Sequence, residues 1–234
     1  GALSNLNDSY ADYYGFAATG DIEGYGFFAT ELHLLDRTLI LDLSANSFSK
    51  ATAQVYPARG MDTDADDYVL AELDRNDFTG ARLTYTLYDR RLEFYTLAYR
   101  NESSLAAIRD RDGNLIQYAI DSDTDTSENI TYGIRFDLTD DYDDPRKGIR
   151  AEISLWHSPA DDRSNPDYDI VEFNFTGYIP MRARDTLVLN FFQAGTSINR
   201  QGETDPDAIE TRLGIDCDLL SAELQTDCQT IVNN

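Results

Sequence analysis

Residues 129–138 read NITYGIRFDL, and their alternation decides the fold class. Ile130, Tyr132, Ile134, Phe136 and Leu138 fall on one side of an extended chain; Asn129, Thr131, Gly133, Arg135 and Asp137 fall on the other. Successive side chains of a β-strand point to opposite faces, so this period of two is that of a two-faced strand and not of a helix. The pattern repeats on both sides of it. In 148–157, Ile149, Ala151, Ile153 and Leu155 oppose Arg150, Glu152, Ser154 and Trp156. In 170–179, Val171, Phe173, Phe175 and Ile179 oppose Glu172, Asn174, Thr176 and Tyr178. Upstream, Leu39, Leu41 and Leu43 alternate with Asp42 and Ser44, and Ala81, Leu83, Tyr85 and Leu87 with Arg82, Thr84 and Thr86. Weaker copies at 13–20, 25–35, 91–100 and 186–195 bring the expected total to about nine strands. Helical periodicity is confined to a short turn near 218–224.

The joins alternate as regularly as the faces. Those at 35–37, 89–90, 139–147 and 180–185 are short, whereas 49–75, 101–128 and 159–167 are long and rich in Asp, Ser and Asn. Outer-membrane barrels combine short periplasmic turns with longer extracellular loops. Aromatic residues near strand ends, among them Tyr25, Phe27, Phe28, Tyr88, Tyr99, Trp156 and Tyr178, suit the aromatic girdles of such barrels or ordinary strand packing. Lys is scarce in the strands, and the second face mixes Arg, Asp, Glu, Ser, Thr and Asn as a hydrated lumen would. The expectation is an all-β, antiparallel transmembrane β-barrel. It has a polar lead-in over 1–12, strands over 13–197 and an acidic extracellular loop or tail over 198–234. An odd number of strands ending on the outside points to part of a larger barrel, or to a barrel completed by a second chain.

Composition narrows the function. The net charge of −24 excludes a nucleic-acid partner, whose phosphates need a basic footprint. No apolar run reaches the length of a transmembrane helix, which leaves strand crossings open. Cys217 and Cys228, close together in the acidic tail, read as a short-range disulfide and hence an oxidising compartment. Asp62, Asp64, Asp66 and Asp67, then Asp110 and Asp112, then Asp121, Asp123 and Asp125 form acidic clusters. Hard cations want several oxygen ligands in one site, so weak Ca²⁺ or Mg²⁺ binding is a candidate there. None continues into an EF-hand loop, however, and Asp112-Gly113 reads as a tight turn. His33 and His157 each sit on an alternating strand without a nucleophile in recognisable context, so no enzymatic activity is expected. Arg82, Arg135, Asp137, Arg150, Glu152 and Glu172 are the lumen-facing candidates. They either line a pore or pair across neighbouring strands and close it.

The stretch 139–155, TDDYDDPRKGIRAEISL, resembles a hairpin of the BamA-like bacterial surface-antigen superfamily. In that family an Asp-rich turn leads through Asp-Pro to a Gly and an alternating strand, matched here by Asp144, Pro145 and Gly148. The following hairpin, FNFTGYIPMRARDTLV at 173–188, resembles the family's next strand pair. The family's Arg-Gly-Phe motif has no counterpart, since Arg59-Gly60 is followed by Met61. The resemblance implies part of a 16-stranded-type barrel in the bacterial outer membrane. Its partners would be membrane lipid and lipopolysaccharide, and its role assistance to outer-membrane protein assembly or a surface component of a complex. A passive porin-like or adhesin-like barrel and a soluble, secreted, calcium-binding β protein are the alternatives.

Overall fold

The alternating segments become strands of a single antiparallel sheet in the computed structural model, which describes residues 2–4, 11–20, 22–35, 38–56, 68–159, 165–182 and 185–232. In chain order the strands are β1 (Ala2–Ser4), β2 (Asp12–Ala18), β3 (Glu23–Leu34), β4 (Leu39–Ser49), β5 (Ala51–Val55), β6 (Val69–Leu87), β7 (Leu92–Arg109), β8 (Leu115–Tyr118), β9 (Asp125–Asp137), β10 (Gly148–Ser158), β11 (Asp167–Pro180) and β12 (Thr186–Arg200). They pair in the order β1-β2-β3-β4-β6-β7-β9-β10-β11-β12, with β5 added to β6 and β8 to β7. The sheet is therefore a meander in which almost every strand pairs with its neighbour in sequence. Among the described residues it is open, with β1 and β12 at its two edges.

The short joins lie at one end of the sheet and the long ones at the other, here the short-turn end and the long-loop end. Two of the long joins differ from the expected loops: β6 has 19 residues and β7 has 18, and β5 and β8 extend the same sheet beyond them. Register shifts between Glu72 and Arg75 insert one extra residue in each strand, Asp74 on β6 and Ala106 on β7, and break the period of two, hiding the strand continuation from a search for alternation. The acidic cluster of Asp62, Asp64, Asp66 and Asp67 lies outside the described residues, as does Arg59-Gly60-Met61.

The tail is more helical than expected. Helices α1 (Pro206–Leu213) and α2 (Ala222–Val232) flank one 3-10 turn at Cys217–Leu219. Asp205 caps α1 by accepting from the Asp207 N–H, Pro206 occupies the first turn, and Gly214 ends the helix at φ 68°. The Gly214 conformation favours glycine, and a Cβ there would also collide with the Ile120 carbonyl.

Candidate functional site

The register sorts the side chains into two faces of opposite character. Leu43, Ala81, Ala98 and Ile130 follow one another across β4, β6, β7 and β9, as do Ile134, Ile153 and Phe173 across β9, β10 and β11. This apolar face is the exposed one: Tyr132 is 54% exposed, Phe136 50%, Ile153 48% and Phe191 54%. On the other face Glu93, Thr131, Asp137 and Ser154 are buried, Glu93 completely. Four of the seven rings named as girdle candidates, Phe28, Tyr99, Trp156 and Tyr178, fall on this second face. They share its parity with Gly80, Asn129, Glu152 and Thr176.

The polar face gathers its charges near the short-turn end. Arg135 donates from Nε to Glu152 at 2.7 Å and from Nη1 to Glu93 at 3.2 Å. Arg90 donates to Glu93 at 2.8 Å and to Glu31 at 2.9 Å. Arg150 donates to Asp137 at 2.8 Å, and Thr139 donates to the same carboxylate through its backbone N–H at 3.0 Å. Tyr142 comes in from the 138–147 turn to link them. Its hydroxyl accepts from Arg90 at 2.9 Å and from Arg135 at 3.2 Å, and its carbonyl accepts from Arg150 at 2.8 Å. The Arg90 guanidinium also lies 4.1 Å from the Tyr142 ring centroid, within cation–π range. Arg82 sits 4.1 Å over the ring of Tyr95, whose hydroxyl donates to Glu152. The guanidinium groups of Arg90, Arg135 and Arg150 thus meet the four carboxylates of Glu31, Glu93, Asp137 and Glu152 in one connected set, joined by Tyr142.

Backbone irregularities bring two of these groups in. Thr30 and Glu31 together oppose Asp42 in a β-bulge, with Glu31 at φ 56°. Its N–H donates to Asp42 at 2.8 Å, and its carboxylate holds both His33, at 2.8 Å, and Arg90. A bulge re-aims a side chain, and here it turns a glutamate toward an arginine 59 residues away. The turn carrying Arg90 is tighter still: Tyr88, Asp89 and Arg90 all have φ between 54° and 66°, an unfavourable region for non-glycine residues.

Of the lumen-facing candidates, Arg135, Asp137, Arg150 and Glu152 lie inside this set and Arg82 beside it through Tyr95. Glu172 is on the same face, one strand farther on, level with Ser154 and outside the ion pairs. Sequence reasoning missed Glu31, Arg90, Glu93, Tyr95 and Tyr142. Glu93 and Tyr95 follow the alternation of β7 and were open to it; Glu31, Arg90 and Tyr142 depend on a bulge and two turns.

Asp144, Pro145 and Gly148 occupy the turn that carries Tyr142. The Asp140 carboxylate accepts the backbone N–H groups of Arg146 and Lys147, both at 2.9 Å, and Asp141 accepts those of Asp143 and Asp144. The N–H donors, Lys147 foremost for Asp140 and Asp144 foremost for Asp141, hold both carboxyls below the usual carboxylate range. Gly148 at φ 115° lies so close to the Leu138 carbonyl that any Cβ would overlap it.

At the long-loop end the tail packs against the extended strands. A disulfide joins Cys217 to Cys228, and both are buried with Ile215 and Val232 against Ala71, Leu105 and Ile108. Leu105 and Ile108 continue the polar side of the sheet, so the tail covers that side. Arg212 pairs with Asp125 at 3.0 Å, and its carbonyl accepts the Asp123 N–H at 2.8 Å. Asp123 and Asp125 thus help to seat the tail. The described residues contain no group of three or more metal-ligating side chains, so Asp121, Asp123 and Asp125 are not gathered into one. A cavity of about 830 Å³ remains between tail and strands, bordered by Leu105, Ile209, Arg212 and Leu213. No family of known proteins matches the sequence when compared through family models, and no curated protein matches it significantly.

Proposed function

We propose that the chain crosses a bacterial outer membrane as part of a BamA-like barrel and serves outer-membrane protein assembly, with its polar face turned inward and sealed. The observation that carries this reading is the reversal of the two faces: carboxylates and threonines are buried while Phe, Ile, Leu and Tyr side chains lie open on the other side. Fully burying one large apolar side chain is worth about 1.5–3 kcal/mol, so leaving a whole face of them in water is costly. Lipid against that face removes the cost. Strands of 11 to 15 residues from β9 to β12 reach or exceed the ~9–11 that a tilted crossing needs.

The paired charges favour a closed interior over a porin-like channel, because a conducting pore keeps its charged groups facing water. The tail, seated over the same side at the long-loop end, favours it too. The exposed apolar face argues against the soluble calcium-binding alternative.

The test is folding into lipid vesicles, followed on an unboiled gel, with a second barrel protein then offered to the same vesicles. A heat-sensitive mobility shift and faster folding of the second protein are expected. Solubility without detergent and no shift would overturn the membrane reading. A shift with no acceleration would remove the assembly role alone.

A further inference from the structure

On the polar face, between the ion-paired set and the long-loop end, two adjacent rows of cross-strand partners carry no charge. Phe16, Gly26, Asn46, Phe78 and Asn101 follow one another across β2, β3, β4, β6 and β7. In the next row toward the short turns, Phe28 of β3 is followed by Ser44, Gly80 and Tyr99. The rings gather in pairs. Phe16 and Phe28 have centroids 6.2 Å apart, and Phe78 and Tyr99 have centroids 5.5 Å apart. Phe16 also lies over Gly26, where no Cβ stands in its way. Between β3 and β6 runs β4 alone, so those two strands stand ~10 Å apart. Ser44, Asn46 and the bare backbone of Gly80 lie between the ring pairs, giving a trough with aromatic walls and a polar floor. Phe16 is 39% exposed, and Phe28, Asn46, Phe78 and Tyr99 are half-buried. Among the described residues, the Asn46 and Asn101 amides are engaged in no hydrogen bond. The tail sits farther toward the long-loop end, on Ala71, Leu105 and Ile108.

We propose that this trough binds a short neutral oligosaccharide that enters in solution from the long-loop side. The proposal rests on the membrane reading above, which makes that side the cell exterior. A pyranose carries C–H groups on its faces and hydroxyls around its rim. Aromatic faces are electron-rich and attract the C–H groups. The carboxamides of Asn46 and Asn101 each donate and accept, as sugar hydroxyls do. A purely apolar ligand would bury those amides without partners. An anionic ligand would approach against the chain's net charge of −24. The ion pairs beyond the trough keep the sugar from passing through, so the site captures a sugar and does not conduct it.

The test is isothermal titration calorimetry of the protein in lipid nanodiscs with maltotriose, cellotriose and trigalacturonate, empty discs serving as the blank. A heat-shift gel on each sample reports the fold. Binding of at least one of the two neutral trisaccharides is expected, with trigalacturonate about ten-fold weaker. Phe27 and Phe28 are neighbours on opposite faces of β3, which makes them a matched pair. Phe28→Ala should weaken binding about five-fold, the scale of one aromatic contact, and Phe27→Ala should leave it unchanged. Asn46→Ala should weaken it by a similar factor while the heat shift persists. Binding of neither neutral sugar to heat-shifting protein, as when a segment of the protein's own chain fills the trough, would overturn the assignment. Equal binding of trigalacturonate, or equal losses in Phe27→Ala and Phe28→Ala, would overturn it too. Loss of the heat shift in the unmodified protein would instead overturn the membrane reading beneath it.

Discussion

Tyr95 and Gly133 are direct partners across β7 and β9, and the tyrosine ring lies over the glycine so closely that a Cβ there would collide with it. The missing side chain lets the ring lie along the sheet and send its hydroxyl across β9 to Glu152. Phe16 over Gly26 and Phe48 over Gly24 repeat the arrangement on the same face near β3. Rings laid over strand glycines recover the packing that glycine lacks.

Gly133→Val should therefore expel Tyr95 from its place and break the Tyr95–Glu152 hydrogen bond. Overpacking of this kind costs about 1–3 kcal/mol. Urea unfolding in lipid vesicles measures it, and Tyr95→Phe should cost less because the ring remains.

Arg135 is the branching point of the ion pairs, touching Glu93, Glu152 and Tyr142. Arg135→Ala leaves the fully buried Glu93 short of one cation and is expected to cost about 3–5 kcal/mol. Replacing Arg135 and Glu152 together by methionine should cost distinctly less than the sum of the two single changes. Equal, additive losses in a double-mutant cycle would mean that the two groups act independently.

Reduction of Cys217–Cys228, or the double change to Ser, should loosen the tail and not the sheet. A disulfide closing a short loop contributes about 2–3 kcal/mol, and the buried contacts of Ile215 and Val232 remain. Hydrogen exchange is expected to quicken across 206–232 while β9 and β10 keep their protection.

The turn at 138–147 should respond to acid. Asp140 and Asp141 have depressed values in the folded protein, so their contribution is present above the ordinary carboxylate range and is lost as pH falls through the folded values. Amide exchange of Arg146 and Lys147 should rise at that point. Asp140→Asn should remove the pH dependence of these two amides while Asp143 and Asp144 retain theirs.

The sequence displayed the sheet more fully than its polar centre. Period-two alternation located the long strands, because one side chain in two must face away from water or lipid wherever a sheet has unlike faces. It lost β5, β8 and the far halves of β6 and β7, where bulges shift the count by one and short strands offer too few residues to show a period. The α1 helix was open to reading from Asp205-Pro206 and Gly214, a cap at each end of a helical stretch. Arg135, Asp137, Arg150 and Glu152 stood out because charges recurred on one face. Which charges would meet depended on the Glu31 bulge, three left-handed turn residues and the inward course of Tyr142, none of which has a periodic signature.

The meander has a consequence for assembly. Because nearly every strand pairs with its predecessor in sequence, the sheet can grow hairpin by hairpin with little chain entropy lost at each closure. The Glu31–Arg90 pair is an exception, since it spans 59 residues and forms only once β3 through β6 are in place. It acts as a latch that closes late, so in an intermediate short of β6 the Glu31 carboxylate has His33 alone, where the completed sheet adds the Arg90 guanidinium.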